Sequence, residues 1–137
     1  MGTLLAVSEN LDLVRSIYEN WERGDFSSAD WRNPQIEYVQ NEGPEAETTT
    51  GHHGMARSFR GFLGAWDEWH VEAEDYLELD RGCVLVPYHF TARGKTSGME
   101  VGQTKGASLF HLRSGQVTRL VQYFARDHAL ADLGIEE

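Results

Sequence analysis

The sequence predicts an α+β fold with its helices first and its strands after. Three observations carry this. Apolar residues recur with helical spacing over 9–23 and again over 52–65. From Glu68 onward the apolar period changes to two. Turn signals then divide the second half into long strands, which segregates helices from sheet.

The first helix is read over 9–23, capped by Ser8, with Leu11, Val14, Tyr18 and Trp21 along one face. Gly24 suits the left-handed residue that ends it. "DFSSADW" reads as a short helical turn and Pro34 as the start of a strand, "QIEYVQ". Residues 41–51, "NEGPEAETTTG", hold almost nothing apolar and read as an exposed loop. The next helix, over about 52–65, sets Met55, Phe59, Phe62 and Trp66 on one stripe. Gly61 and Gly64 weaken it but permit close approach to a sheet.

A strand from Glu68 to Asp80 puts Trp69, Val71, Ala73, Leu77 and Leu79 on one face and His70, Glu72, Glu74, Glu78 and Asp80 on the other. Asp75 then falls on the apolar face. Either a bulge turns it outward, or it is a buried acid with a raised pKa. Arg81-Gly82 turns the chain into "CVLVPYHFTARG", "KTSG" into "MEVGQTKGASLFHLR", and Ser114-Gly115 into "QVTRLVQYFA". A tail helix, "DHALADLG", closes the chain, with Asp127 as its cap. Gly94, Gly98, Gly102 and Gly106 let the strands curl. The expected architecture is therefore a curled antiparallel sheet wrapped over the N-terminal helices: a cone with an open mouth, in one domain spanning 1–137.

Composition narrows the partners. A net charge of −10, from 22 acidic against 12 basic residues, repels phosphate backbones and anionic lipid, so nucleic acid and membrane are not expected partners. A lone cysteine, Cys83, excludes an intrachain disulfide and thiolate metal clusters. No signal peptide, acylation motif or transmembrane run is read, so the expected location is the cytoplasm.

The order of "LVRSIYENWERGDF", "NPQIEYVQ", "GHHGMARSFRGF" and "SGMEVGQTKGASLFHLRSGQVTRLVQYFARDHALADLG" resembles the nuclear transport factor two-like cone fold. Within it, the chain is similar to SnoaL-like polyketide cyclases and ketosteroid isomerase relatives. The resemblance implies a cystatin-like roll with a central pocket and commonly a homodimer through the sheet's outer face. It does not imply one function, since such relatives include isomerases, cyclases, hydrolases, dehydratases and noncatalytic binders.

Tested residue by residue, the resemblance leaves the usual acids unfilled. Ketosteroid isomerases place a general-base aspartate near the end of the first strand; here Tyr38 and Gln40 instead resemble the Tyr and Asn with which limonene epoxide hydrolases hold the attacking water, the amide one carbon longer. A carboxamide cannot take and return a proton near neutral pH, although it can hold water or a carbonyl. Limonene epoxide hydrolases need an Arg-x-Asp on a middle strand and an Asp on the last. Pro87-Tyr88-His89-Phe90-Thr91 lacks the first, and Gln122 and Ala125 stand where the last strand's acids are expected. Epoxide hydrolysis by that arrangement is therefore not expected.

His89 and His111, mid-strand, are the candidate proton carriers, with Asp75 as a third and Tyr38 as support for an oxyanion. His52-His53 are neighbours whose side chains cannot both face one metal easily, so no metal is expected, and no cofactor is expected either. Tyr38, Gln40, Phe59, Phe62, Trp66, Trp69 and Gln122 are the expected ligand-binding set, fitted to a small hydrophobic molecule with oxygen substituents. Three functions follow from these residues: ligand binding, acid–base isomerisation, cyclisation or dehydration, and a noncatalytic dimer with a filled core.

Overall fold

The computed structural model of the chain describes residues 2–25, 30–40, 47–64, 66–79, 82–94, 100–123 and 125–134. In chain order they form α1 (Gly2–Glu22), β1 (Arg32–Gln40), β2 (Glu47–Thr50), α2 (Gly51–Gly64), β3 (Trp66–Ala73), β4 (Leu77–Leu79), β5 (Cys83–Gly94), β6 (Glu100–Arg113), β7 (Gln116–Tyr123) and α3 (Arg126–Leu133). The strands make one curled, unclosed sheet in the order β2-β1-β7-β6-β5-β3, with β4 pairing β5 off that path. The α+β cone is the fold the sequence indicates.

One feature of the sheet departs from expectation. β1 lies parallel to β7, whereas every other pair is antiparallel. Alternation along a strand reports which face a residue takes but carries no information on strand direction, so period-two reading could not distinguish the two pairings.

The concave face carries the larger core. Val14, Ile17, Tyr18 and Trp21 of α1 pack on Val84, Val86 and Phe110, and Met55 of α2 joins them. Tyr18 meets Trp21 at 4.9 Å between ring centroids, and Trp21 stacks on Phe110 at 6.1 Å. The outer face carries a second core, in which Leu85, Leu109 and Val121 pack with Ala129 of α3. Strand alternation therefore sorts β5, β6 and β7 into inward-facing even and outward-facing odd residues along their central parts.

Turn chemistry matches the sequence where a positive φ is needed. Gly24 ends α1 at φ 84°, and Ser114 and Gly115 take φ 53° and 79°, as a primed two-residue hairpin requires. Elsewhere the boundaries move. The loop expected over 41–51 contains β2, paired antiparallel to β1, and α2 begins at Gly51; residues 41–46 lie outside the described part. "DFSSADW" falls largely on 26–29 and lies outside it too.

The strand expected from Glu68 to Asp80 is broken at Glu74–Tyr76. Glu74 N donates to Pro87 O, and Asp75 Oδ1 accepts from Tyr76 N, which turns Asp75 into solvent. Leu77, expected inside, is 37% exposed in consequence. Asp127 is not the cap of α3. Ala125 holds that position in extended conformation without a side-chain bond, and Asp127 lies in the first turn, where its charge meets the positive end of the helix dipole.

Candidate functional site

Among the described residues the buried polar side chains are Gln40, Thr49, Ser58, Ser108 and Gln122, and all but Thr49 belong to one row on the concave face. Gln40 at the end of β1 is the register partner of Gln122 on β7, and Gln122 is the partner of Ser108 on β6. All three are buried, at 2%, 8% and 0% exposure. They lie inward because they share parity with Tyr38, Leu120 and Phe110, which belong to the concave core. Two helices complete the row. Tyr18 of α1 reaches Ser108 Oγ at 2.6 Å, and Ser58 of α2 donates to Gln40 Oε1 at 3.2 Å.

The hydrogens in this row are fixed by counting. Ser108 Oγ donates its one proton to Gln122 Oε1 at 2.5 Å, so in the Tyr18–Ser108 bond Tyr18 must be the donor. Burial, with Tyr88 nearby, holds the Tyr18 phenol well above its ordinary pKa despite the opposing Ser108 bond, so it keeps that proton. Both glutamine oxygens therefore accept from serine hydroxyls. Neither glutamine nitrogen has a hydrogen bond among the described residues.

Around the row, Tyr38 is buried on the β1 side. Trp69 lies against Phe90 at 4.6 Å between ring centroids. The Tyr88 ring crosses Gly106, and its hydroxyl donates to Tyr123 O at 3.1 Å. Thus Tyr38, Gln40 and Gln122 share one inward-facing region, with Trp69 toward the β3 edge. Phe59, Phe62 and Trp66 belong to α2 and β3, but their side chains lie outside the described part.

The three proton-carrier candidates are elsewhere. His89 is the register partner of Glu72 and alternates with the inward Tyr88 and Phe90, so it faces outward. Its Nδ1 is 3.2 Å from Glu74 Oε2 and its Nε2 3.4 Å from Glu72 Oε2. Arg126 joins the same group through Glu74 Oε1 at 3.0 Å. That bond, helped by His89 and opposed by partial burial, lowers the Glu74 carboxyl below its ordinary range.

His111 also faces outward, beside Arg119 and with Nδ1 3.3 Å from Cys83 Sγ. Arg119 in turn pairs with Glu37 at 3.1 Å. Burial first, and the Arg119 charge second, lower the His111 pKa, with Glu37 opposing. Asp75 is exposed on the broken edge between β3 and β4. No group of three or more potential metal ligands converges among the described residues, and none of their helices is long and apolar enough to cross a membrane.

The row can hold an oxygen but has no means of moving a proton at neutral pH, since it contains hydroxyls and carboxamides and neither carboxylate nor imidazole. Sequence reasoning missed three of its members. Ser108 was legible in principle, two residues before Phe110 in "ASLFHL" and therefore on the same face. Tyr18 reads as one more aromatic on an apolar stripe, and Ser58 as a polar helix position; only the packing of two helices onto one sheet brings them to the glutamines.

A family model for the SnoaL-like domain matches residues 14–120. The chain belongs to this SnoaL-like family. The matched span contains every member of the row except Gln122. No curated protein matches this SnoaL-like chain. Among solved structures, TerC, co-crystallized with polyporic acid, is 18% identical, with 91% of this chain and 97% of TerC covered at a TM-score of 0.71. An NTF2-like protein of unknown function from Burkholderia pseudomallei is 15% identical, with 90% and 95% covered at 0.74. A Catenulispora acidiphila protein with a ketosteroid isomerase-like fold, in complex with trimethylamine, is 15% identical, with 90% and 93% covered at 0.66. At these identities the likeness is one of fold.

Proposed function

We propose that this SnoaL-like protein binds a small apolar molecule bearing oxygen on the concave face of its sheet, with Gln40 and Gln122 as the polar contacts. The observation that carries this is the pair of buried glutamines whose amide nitrogens have no partner among the described residues. With their oxygens held by serines, these two amides leave N–H groups side by side for an occupant that accepts from them. Aromatic neighbours, Tyr38 and Trp69 with Phe90, suit an apolar body on such an occupant. TerC, which shares the fold, was co-crystallized with polyporic acid.

Binding fits these residues better than acid–base catalysis. His89, His111 and Asp75 lie on the outer face or the exposed strand break, so none of these three candidate carriers lies beside the glutamines. The test is titration of aromatic ketones into the protein by calorimetry, repeated with Gln40→Leu and Gln122→Leu. Each variant should weaken binding about tenfold, the value of one hydrogen bond. Affinity equal to the parent's in both variants, or the absence of any ketone that binds, would overturn the assignment. His89→Ala and Asp75→Asn should bind as the parent does.

A further inference from the structure

The polar row has a direction as well as a place. Ser58 and Ser108 each donate to a glutamine oxygen, and Tyr18 donates to Ser108 in turn. A carboxamide has one oxygen and one nitrogen, so an oxygen held by a serine turns the nitrogen, with its two N–H bonds, away from that serine. Without the serines either glutamine could rotate its amide by half a turn and present oxygen instead. The two amides are neighbours across the β1–β7 register, so their orientations together decide what the site offers.

We propose that Ser58 and Ser108, the latter backed by Tyr18, are specificity-determining residues that lock Gln40 and Gln122 as donors, so that the site selects a carbonyl or quinone oxygen over the corresponding alcohol or phenol. The proposal rests on the ligand-binding reading above and adds the sign of the recognition. A ketone oxygen has lone pairs and no proton, and takes both amide donors. An alcohol oxygen can also accept, but its own hydrogen must then find an acceptor, and both glutamine oxygens are turned toward their serines rather than toward the occupant. Leaving that buried donor unmade costs about 1–3 kcal/mol, or roughly 5- to 150-fold in affinity. Discrimination by an unpaired polar group of this kind is stronger than discrimination by shape.

The relay also explains an otherwise costly choice of residue. A tyrosine hydroxyl buried at the centre of α1's apolar face needs an acceptor, and Ser108 Oγ supplies one. Because Ser108 has a single proton, accepting from Tyr18 leaves that proton for Gln122, whereas the reverse order would leave the buried Tyr18 proton without an acceptor among the described residues. Ser58 holds Gln40 in the same sense from the other helix, so α1 and α2 each fix one amide.

The experiment compares matched probes that differ only at oxygen: 2-acetylnaphthalene with 1-(2-naphthyl)ethanol, and 1-indanone with 1-indanol, each titrated by calorimetry. The parent should favour each ketone by about tenfold or more. In the double variant Ser108→Ala with Tyr18→Phe, which keeps the tyrosine from replacing the serine, the Gln122 amide is free to turn. The ketone-to-alcohol ratio should fall toward one, mainly because the alcohol binds better. Ser108→Thr, which keeps the hydroxyl, should restore the parent ratio, and thermal melts establish that each variant is folded. A purely structural role for Ser108 would weaken both probes together and leave their ratio unmoved. In the infrared, the carbonyl stretch of bound 2-acetylnaphthalene should lie lower in the parent than in Gln122→Leu. Equal binding of ketone and alcohol by the parent overturns the donor lock while leaving ligand binding intact. A ratio unchanged in the double variant overturns the role of the relay. Failure of every probe to bind the parent overturns both readings at once.

Discussion

Gly106 shows how tightly single residues set the concave face. It lies beneath the Tyr88 ring, and a Cβ there would come within 2.6 Å of Tyr123 O and 2.7 Å of the Tyr88 ring and hydroxyl. One of those contacts is backbone, which cannot swing away as the end of a flexible side chain can. Gly106→Ala should therefore destabilise the fold by about 1–3 kcal/mol through overpacking, read as a lower denaturation midpoint at unchanged slope. Tyr88→Phe in the same background should recover little, since the clash with Tyr123 O remains. His111 makes a second prediction at this scale. Its folded pKa lies below the ordinary value near 6.5, so the unfolded chain takes up the proton first as pH falls. Stability should be undiminished by this group above about pH 6.5 and decline as pH drops through the folded pKa. His111→Gln should flatten that part of a plot of melting temperature against pH; an unchanged slope would remove His111 as the cause.

At the scale of elements, the attachment of α3 depends on one arginine more than on its capping. α3 lacks a side-chain N-cap and starts at Arg126, whose side chain is 10% exposed. Its Nε donates to Gly106 O at 3.2 Å, its Nη2 to Tyr88 O at 2.7 Å, and its Nη1 contacts Glu74 at 3.0 Å. The three together join the helix to β5, β6 and the broken end of β3, and only a planar fork reaches all three. Arg126→Ala should cost about 2–3 kcal/mol, and Arg126→Lys should rescue only part of it. Amide exchange over 126–133 should accelerate more than exchange in α1, which would localise the effect to this element. Glu74 adds a pH term of the opposite kind to His111 in origin but the same in direction. Its folded pKa is depressed, so its contribution is present above its ordinary value of about 4.5 and is lost as pH falls through the folded value.

Across the whole molecule, the parts legible in the sequence were those governed by period and by turn chemistry. Helical spacing gave Val14, Tyr18 and Trp21 as the buried stripe of α1, and alternation placed Tyr38 and Gln40 on the same face, as the sheet has them. What stayed hidden was set by neighbours far apart in the chain. The parallel β1–β7 pairing that brings Gln40 beside Gln122 joins residues about eighty positions apart, and nothing local in either strand announces it. The same holds for Tyr18 and Ser108, which meet only because α1 crosses the concave face. His89 and His111 read as candidate proton carriers because each stands in a strand of the curled sheet and histidine can accept a proton near pH 7, yet alternation against Tyr88 and Phe110 already put both on the opposite face.

The two-faced sheet yields the last prediction. Because α1 and α2 cover the concave face and α3 the outer one, an occupant held by Gln40 and Gln122 must contact the first two helices and not the third. A ligand at one hundred times its dissociation constant stabilises the folded state by about 2.7 kcal/mol, and amides that open only with the ligand's site should be protected by a comparable amount. Hydrogen exchange with 2-acetylnaphthalene present should therefore slow in α1 around Tyr18, in α2 around Ser58 and at the ends of β1 and β7. Exchange over α3 that reflects local opening of that helix should stay as it was. Protection centred on α3, or on the strand edge near Asp75, would place the ligand on the outer face and separate it from the glutamine row.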